Sequence, residues 1–219
     1  QSFSLVAGST LTELAKKDKT IVAVTAAMCL GTGLEQFSKV HPNQYYDVSI
    51  AEQHAVSLCA GLAKMGFKPF FVVYSTFLQR GFDQILHEIS IDKLPVKFLI
   101  DRAGAVGSDG ITHQGIFDIS YLSLIPNMML LSPKDGKELK KMIEFSLSVN
   151  GPIAIRYPKG FKDQPCNFTP ITSGKWEIIR TSDTNIYILA VGNRMISLAK
   201  QIPNINLINA RFITPLDSE

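Results

Sequence analysis

Glu52 is the first residue whose type and position suggest chemistry. It follows a predicted strand at 47–50 directly and opens a strongly apolar helical segment. A carboxylate in the first turn of a helix is stabilised by the helix dipole, so a helix-start role is one interpretation. The other is a carboxylate held in a dry site at the end of a strand, where it shares a proton with a ligand nitrogen. The local pattern leaves both interpretations open.

A glycine-rich loop at 102–115 carries three more side chains that could act on a ligand. Arg102, Asp109 and His113 stand there among four glycines. Glycine permits tight bends and a close approach of the backbone to a ligand. A loop of this length in a compact domain is often functional, although a solvated surface loop is the alternative.

Aromatic and basic residues mark two further positions. Tyr74 and Phe77 lie three residues apart near the start of a predicted helix, on one face, and Arg80 follows them. Phe77 could equally be a core residue. Arg156 ends a predicted strand, where it could bind an anion or pair with a nearby acid.

The elements that must position these residues alternate between helices and short apolar strands. Strands are predicted at 21–26, 47–50, 69–74, 96–101, 128–131 and 152–156, and helices at 3–16, 51–65, 76–90 and 135–149. Apolar strands separated by helices predict an α/β fold with a mainly parallel sheet covered by helices on both faces. Ligands of such sheets bind outside the carboxyl ends of the strands, where Glu52, Tyr74 and Arg102 fall.

Proline and glycine concentrate after residue 158, which predicts a linker. We place a first domain at 1–160, the linker at 161–174 and the start of a second α/β domain at 175–219. Roughly 45 residues are too few for a complete α/β domain, so we expect the second domain to be truncated. Both ends of the chain look like parts of something larger.

The composition is that of a globular protein, with 46% hydrophobic and 19% charged residues and a net charge of +3. Interspersed charges of both signs do not indicate a nucleic-acid surface. No apolar run is long enough to predict a transmembrane helix.

The cysteines and histidines do not form a recognisable metal or disulfide pattern. Cys29, Cys59 and Cys166 lack disulfide or zinc spacing, which fits a reducing, cytoplasm-like compartment. Cys59 lies in an apolar run, which favours a core position. His54 and His87 fall within helices predicted to be buried, which favours structural roles.

Four motifs together closely resemble the 1-deoxy-D-xylulose-5-phosphate synthases, a transketolase-like family of thiamine-diphosphate enzymes. They are Asp47-Val-Ser-Ile-Ala-Glu-Gln-His-Ala, Tyr74-Ser-Thr-Phe-Leu-Gln-Arg-Gly-Phe-Asp-Gln, Asp101-Arg-Ala-Gly with the following Ser108-Asp-Gly-Ile-Thr-His-Gln-Gly, and Arg156-Tyr-Pro-Lys-Gly. The tail Asn209-Ala-Arg-Phe-Ile-Thr-Pro-Leu-Asp resembles the C-terminal domain of the same family. Transketolases and β subunits of 2-oxo-acid dehydrogenases share the context of Glu52, but they do not usually share the second and third motifs.

The resemblance implies a specific chemistry. Residues 1–160 would be the pyrimidine-binding domain, and Glu52 would hydrogen-bond N1′ of the thiamine aminopyrimidine. The cofactor would then lose its thiazolium proton, add pyruvate with release of CO₂, and pass the remainder to D-glyceraldehyde 3-phosphate. The product, 1-deoxy-D-xylulose 5-phosphate, would serve isoprenoid, thiamine and pyridoxal biosynthesis.

The resemblance also implies a set of cofactor-binding residues. Phe77 would stack on the pyrimidine ring with Arg80 close by. Ala26, Met28 and Ile50 would line the cofactor pocket.

Substrate-binding residues follow from the same motifs. Tyr74, Asp109 and His113 would face the substrates, with His113 joining Glu52 as a catalytic residue. Arg102 and Arg156 would hold the phosphate of the aldehyde, a task that suits guanidinium groups.

The family's diphosphate-binding domain carries a Gly-Asp-Gly motif that holds Mg²⁺ and the diphosphate, and no Gly-Asp-Gly occurs in this sequence. We therefore expect little or no synthase activity from this chain alone, and a cytoplasmic homodimer as the working form. Two alternatives stay open. One is a transketolase-like enzyme or a dehydrogenase β-type subunit, and the other is a non-catalytic dimerisation module.

Overall fold

A computed structural model describes residues 2–160 and 169–218. Its elements in chain order are α1 (Phe3–Lys17), β1 (Ile21–Thr25), α2 (Glu35–Val40), β2 (Tyr45–Asp47), α3 (Glu52–Lys64), β3 (Lys68–Tyr74), α4 (Ser75–Leu78), α5 (Phe82–Gln84), β4 (Lys97–Asp101), α6 (Asp118–Leu122), β5 (Met129–Leu131), α7 (Gly136–Ser146), β6 (Ile153–Arg156), β7 (Glu177–Arg180), β8 (Tyr187–Ala190), α8 (Gly192–Ala199), β9 (Asn206–Asn209) and β10 (Phe212–Thr214).

Within the described residues, one sheet has seven strands in the order β10-β5-β6-β4-β3-β1-β2. The strands from β5 to β2 run parallel, and β10 pairs antiparallel with β5. The predicted α/β class with a mainly parallel sheet is therefore confirmed.

Helices cover both faces of this sheet because successive residues of a strand point to opposite sides. In β3, Phe71 and Val73 belong to the core that α3 covers. Their neighbours Phe70 and Val72 belong to the core beneath α1 and α7. This sandwich leaves the carboxyl ends of β1, β3, β4 and β6 as the edge where a ligand can meet the sheet.

Two predicted elements differ from those observed. The strand expected at 47–50 ends at Asp47, because Ser49 takes the left-handed backbone conformation with φ +58°. Asp47 Oδ1 accepts hydrogen bonds from the backbone N–H groups of Ala27, at 2.8 Å, and Ser49, at 3.0 Å. The helix expected at 76–90 is a series of short helical segments that ends in a π-helix, Ile85–Ser90.

The helix that begins at Glu52 is buried on one face rather than all round. Cys59 and Val56 are inaccessible, as the apolar pattern predicted for Cys59, whereas His54 is exposed. The prediction of buried positions was also wrong for His87, whose side chain is 63% exposed. The apolar pattern predicted a helix at Glu52 that is buried in a core or against a partner, and the described residues cover only one of its faces.

The segment after the gap forms a second, three-stranded sheet in the order β7-β9-β8. The chain then returns, and β10 joins the edge of the larger sheet beside β5. Cys166 and most of the predicted linker lie outside the described residues. In the part of the chain that is described, no helix is long and apolar enough to cross a membrane.

A buried polar network ties the two sheets together. Asn209 Nδ2 donates to Oε1 of Glu138 at 3.1 Å and to Oε2 of Glu177 at 3.0 Å. Lys134 bonds Glu177, and Arg211 Nη1 lies 3.4 Å from Glu138 Oε1. Burial raises the pKa of Glu138. Burial acts in the same direction on Glu177, but hydrogen bonds from Asn209 and Lys134 outweigh it and lower its pKa.

Candidate active site

Glu52 is a buried carboxylate with one partner from another element. Its side chain is 2% exposed, and Oε2 accepts a hydrogen bond from Arg80 Nη1 at 3.0 Å. None of the described residues donates a hydrogen bond to Oε1. Arg80 is 48% exposed, so it connects the buried acid to the surface. The arrangement leaves one carboxylate oxygen available to a ligand.

Three aromatic rings lie beside this pair. Tyr74 and Phe77 are stacked, with centroids 6.0 Å apart and planes at 20°. His113 meets the Phe77 ring edge-on at 5.2 Å, and Arg80 Cζ lies 5.7 Å from the Phe77 centroid. The structure thus brings together Tyr74, Phe77, Arg80 and His113, which the sequence places on two separate segments.

Tyr74 owes its position to the absence of a side chain at Gly31. A Cβ atom at Gly31 would lie 1.6 Å from the Tyr74 hydroxyl oxygen, so only glycine permits this approach. Tyr74 is the last residue of β3, and its backbone N–H donates to Met28 Sδ at 3.4 Å. The cluster is therefore built at the carboxyl end of a central strand.

Arg102 contacts several groups of this chain, while its Nε has no hydrogen-bond partner among the described residues. Its backbone has φ +57°, and its guanidinium lies 4.0 Å above the Tyr74 ring. Nη1 lies 3.0 Å from Asp101 Oδ2 and also donates to the carbonyl of Gly31. Burial raises the pKa of Asp101, and the charge of Arg102 opposes that rise. The guanidinium is thereby fixed against the aromatic cluster.

Asp109 anchors the glycine-rich loop to the end of β6. Its Oδ1 pairs with Lys159 Nζ, which also donates to Ser108 Oγ at 3.2 Å. The hydrogen bond from Lys159 lowers the pKa of Asp109. At the base of the loop, Gly115 N–H donates to the Gly104 carbonyl at 3.0 Å. The loop is closed and tethered rather than free in solvent.

Arg156 pairs with an acid that sequence reasoning missed. Its Nε donates to Asp118 Oδ2 at 2.8 Å, and its Nη2 lies 3.3 Å from Oδ1. Asp118 is fully buried and is the first residue of α6. The sequence analysis predicted no helix at Asp118, and no local pattern indicates a partner 38 residues away.

Of the three remaining predicted pocket residues, two are buried and one is exposed. Ala26 and Met28 are buried after the end of β1, close to Tyr74 through the Met28 sulfur. Ile50 is 75% exposed, two residues before Glu52. The described residues leave most of its side chain exposed.

Two cavities open among these residues. The first, about 470 Å³, is lined by Phe77 and Arg80 together with loop residues Ile111, Thr112 and Gln114. The second, about 350 Å³, is lined by Arg156, the loop at 103–105 and the start of α8. Among the described residues, no group of three or more His, Cys, Asp or Glu could hold a metal ion.

The fold belongs to a known class of thiamine-enzyme domain. Residues 1–161 match the family described as "Transketolase, pyrimidine binding domain", and the chain belongs to that family. Helices on both faces of a mainly parallel sheet are the fold that this family membership explains.

The more similar relatives are named 1-deoxy-D-xylulose-5-phosphate synthases, as the four motifs predicted. The chain is 52% identical to the enzyme of Alkaliphilus oremlandii over 227 residues, covering 100% of this chain and 36% of the relative. It is 50% identical to that of Clostridium botulinum (strain Eklund 17B / Type B), covering 99% and 36%. The chain therefore spans about a third of the length of these curated relatives.

Transketolases are among the solved structures with the same fold. A split-gene transketolase described as an inactive β4 tetramer has a TM-score of 0.83 at 24% identity, covering 99% of this chain and 73% of its own. The transketolase of Campylobacter jejuni has a TM-score of 0.82 at 21% identity, covering 97% and 35%. These likenesses establish the fold.

Proposed function

We propose that this chain supplies the pyrimidine-binding part of a thiamine-diphosphate-dependent 1-deoxy-D-xylulose-5-phosphate synthase. The enzyme condenses pyruvate with D-glyceraldehyde 3-phosphate and releases CO₂. The observation that carries this proposal is the buried Glu52 carboxylate, with one oxygen on Arg80 and the other open, beside the ring of Phe77. Relatives of about 50% identity favour the synthase over a transketolase or a dehydrogenase subunit.

The residues present fit an aminopyrimidine. Such a ring needs a flat apolar surface and an acceptor for a proton on its ring nitrogen. Phe77 and Arg80 line a cavity of about 470 Å³, and Arg80 in turn pairs with Glu52. A carboxylate that is 2% exposed holds its proton-sharing partner in a site with little competing water.

The chain's own residues have distinct roles in this proposal. Thiamine diphosphate, when bound, supplies the carbon nucleophile and electron sink that side chains lack. Glu52 shares the proton at N1′, and Arg80 orients the carboxylate. Phe77 stacks on the pyrimidine, while Ala26, Met28 and Ile50 line the rest of the cofactor pocket.

The substrates would meet the opposite side of the aromatic cluster. Tyr74, Asp109 and His113 face pyruvate and the aldehyde, and His113 moves protons during the condensation. Arg102 and Arg156 hold the phosphate of D-glyceraldehyde 3-phosphate by charge-assisted hydrogen bonds. Arg102 directly follows β4 and Arg156 is the last residue of the neighbouring strand β6, where it is in register with Ile100 of β4.

The diphosphate and Mg²⁺ need ligands from outside this chain. The sequence contains no Gly-Asp-Gly motif. We infer that a diphosphate-binding domain completes the site, that the working enzyme is a homodimer in the cytoplasm, and that this chain alone turns over little or no substrate.

The test is an assay of the enzyme that contains this chain together with a diphosphate-binding domain. Supplied with thiamine diphosphate and Mg²⁺, it should convert pyruvate and D-glyceraldehyde 3-phosphate to 1-deoxy-D-xylulose 5-phosphate and CO₂. Use of a ketose phosphate donor or a lipoyl acceptor in place of this pair would contradict the proposal. Robust product from the 219-residue chain alone would contradict the inferred need for another domain.

A further inference from the structure

We propose that Asp118 is a positioning residue that aims the Arg156 guanidinium at the phosphate of the aldehyde substrate. The inference rests on the proposed function, because it assigns a role to a residue behind the proposed phosphate site. Neither the motifs nor the family resemblance pointed to Asp118.

The geometry of the pair fixes the guanidinium in one orientation. Asp118 Oδ2 accepts a hydrogen bond from Arg156 Nε at 2.8 Å, and Oδ1 accepts one from Arg156 Nη2 at 3.3 Å. A two-point contact of this kind restrains both the position and the plane of a guanidinium. Among the described residues, Nη1 has no hydrogen-bond partner, and Arg156 lines the cavity of about 350 Å³. The free edge is therefore the one that a ligand in the cavity can use.

Asp118 itself is held firmly. It is fully buried at the start of α6, and its Oδ1 also accepts the backbone N–H of Ile119 at 3.0 Å. A buried carboxylate in such a pair is costly to leave alone, so Asp118 and Arg156 hold each other in place. Arg156 is 13% exposed, which leaves it little freedom to swing toward an anion by itself.

A purely structural ion pair would stabilise the fold without affecting the choice of substrate. A positioning role predicts an effect on phosphate binding alone, since among the described residues Arg156 is the one proposed substrate-binding side chain that Asp118 hydrogen-bonds. The two roles therefore differ in their effect on phosphorylated and unphosphorylated acceptors.

The experiment compares Asp118→Asn with wild type in the complete enzyme, with D-glyceraldehyde 3-phosphate and unphosphorylated D-glyceraldehyde as acceptors. Loss of one charge-assisted contact should raise the KM for the phosphorylated aldehyde by about tenfold. The KM for pyruvate and the kcat/KM for D-glyceraldehyde should stay within about twofold of wild type, a change within the range of surface-like effects.

Two further variants make the test decisive. In an Arg156→Met background, Asp118→Asn should add no further loss of phosphate discrimination if it acts through Arg156. Asp18→Asn is the matched control, because it removes the ion pair of Asp18 with Lys68 at the opposite edge of the sheet. It should leave both acceptors unaffected.

Failure of the inference is separable from failure of the proposed function. The positioning role is overturned if Asp118→Asn weakens the use of both aldehydes equally. It is also overturned if the losses of phosphate discrimination add in the double variant. In either case, turnover by the wild-type enzyme would still support the proposed function. If Asp118→Asn does not fold, Asp118→Glu retains the charge but shifts the guanidinium, and the same rise in KM is expected. An unchanged KM in a folded Asp118→Glu enzyme overturns the inference. A wild-type enzyme that makes no product contradicts the proposed function instead.

Discussion

The contact between Glu52 and Arg80 adds information about Glu52 that the sequence does not contain. The sequence allows two roles for Glu52. One is an acid that stabilises the start of a helix, and the other is a carboxylate that binds a ligand. In the structure its Oε2 accepts from Arg80, which comes from a different element 28 residues later. The motifs predict a set of site residues, which stays a prediction. They could not predict the pairing of Asp118 with Arg156, because it depends on how segments 38 residues apart fold together.

Lys97 illustrates a residue-scale effect away from the site. It is 2% exposed at the start of β4, and burial lowers its pKa to about 8. In the unfolded chain an ordinary lysine keeps its proton to about pH 10.4. Between these values the unfolded state binds more protons, so the free energy of unfolding should rise with pH by up to about 3 kcal/mol.

We expect Lys97→Met to remove this rise and to raise the free energy of unfolding near neutral pH. Denaturant unfolding between about pH 7 and 10 measures the effect. The exposed Lys19→Met is the control and should keep the wild-type slope. A Lys97→Met protein with the same slope as wild type would show that Lys97 is not the buried titrating group.

At the scale of elements, apolar runs predicted most strands correctly because buried parallel strands are continuously hydrophobic. Local backbone geometry was less predictable. The left-handed residue Ser49 ends β2 early, and the helix after Tyr74 breaks where the site is built. Such irregular segments are where backbone and side chains are adjusted to a ligand.

Gly31→Ala tests how the elements position the aromatic cluster. The added methyl would lie 1.6 Å from the Tyr74 hydroxyl oxygen, so the Tyr74 ring or the backbone at Gly31 must shift. We expect a loss of about 1–3 kcal/mol in stability, together with a fall in turnover by the complete enzyme.

Gly61→Ala is the matched control for this substitution. Gly61 lies within α3, and an added Cβ would meet nothing within 4 Å. Alanine should stabilise that helix by up to about 1 kcal/mol and leave turnover unchanged. Thermal unfolding and the synthase assay measure both variants. A Gly31→Ala enzyme with wild-type stability and turnover would argue against the packing described for Tyr74.

At the scale of the whole molecule, the C-terminal segment contributes strands to both sheets. The sequence predicts a truncated second domain at 175–219, and that division stays a prediction. In the structure, β10 pairs antiparallel with β5 at the edge of the larger sheet. Helix and strand periods describe each element by itself. They do not say which sheet a short strand such as Phe212–Thr214 will join.

Arg211 links the two sheets, and we expect it to contribute more to stability than an arginine on the surface would. It is 1% exposed, donates to the carbonyl of Pro170 at 2.8 Å and lies 3.4 Å from Glu138 Oε1. We expect Arg211→Met to cost about 3–5 kcal/mol, because Glu138 would lose a buried partner. Denaturant unfolding measures the loss.

Arg194→Met is the comparison for this substitution. Arg194 is an exposed donor to the Ala105 carbonyl, so its replacement should cost less than about 1 kcal/mol. Equal losses for the two variants would mean that the network between the sheets contributes little to stability.

The central claim is that Glu52 shares a proton with the pyrimidine of thiamine diphosphate. Its most direct measurement is the rate of hydrogen–deuterium exchange at C2 of the bound cofactor, compared between the complete enzyme and its Glu52→Gln variant. We predict that the variant still binds thiamine diphosphate but exchanges the C2 proton at least about 100-fold more slowly, the usual effect of losing a proton-transfer group. Equal exchange rates in the two cofactor-loaded enzymes would contradict the claim.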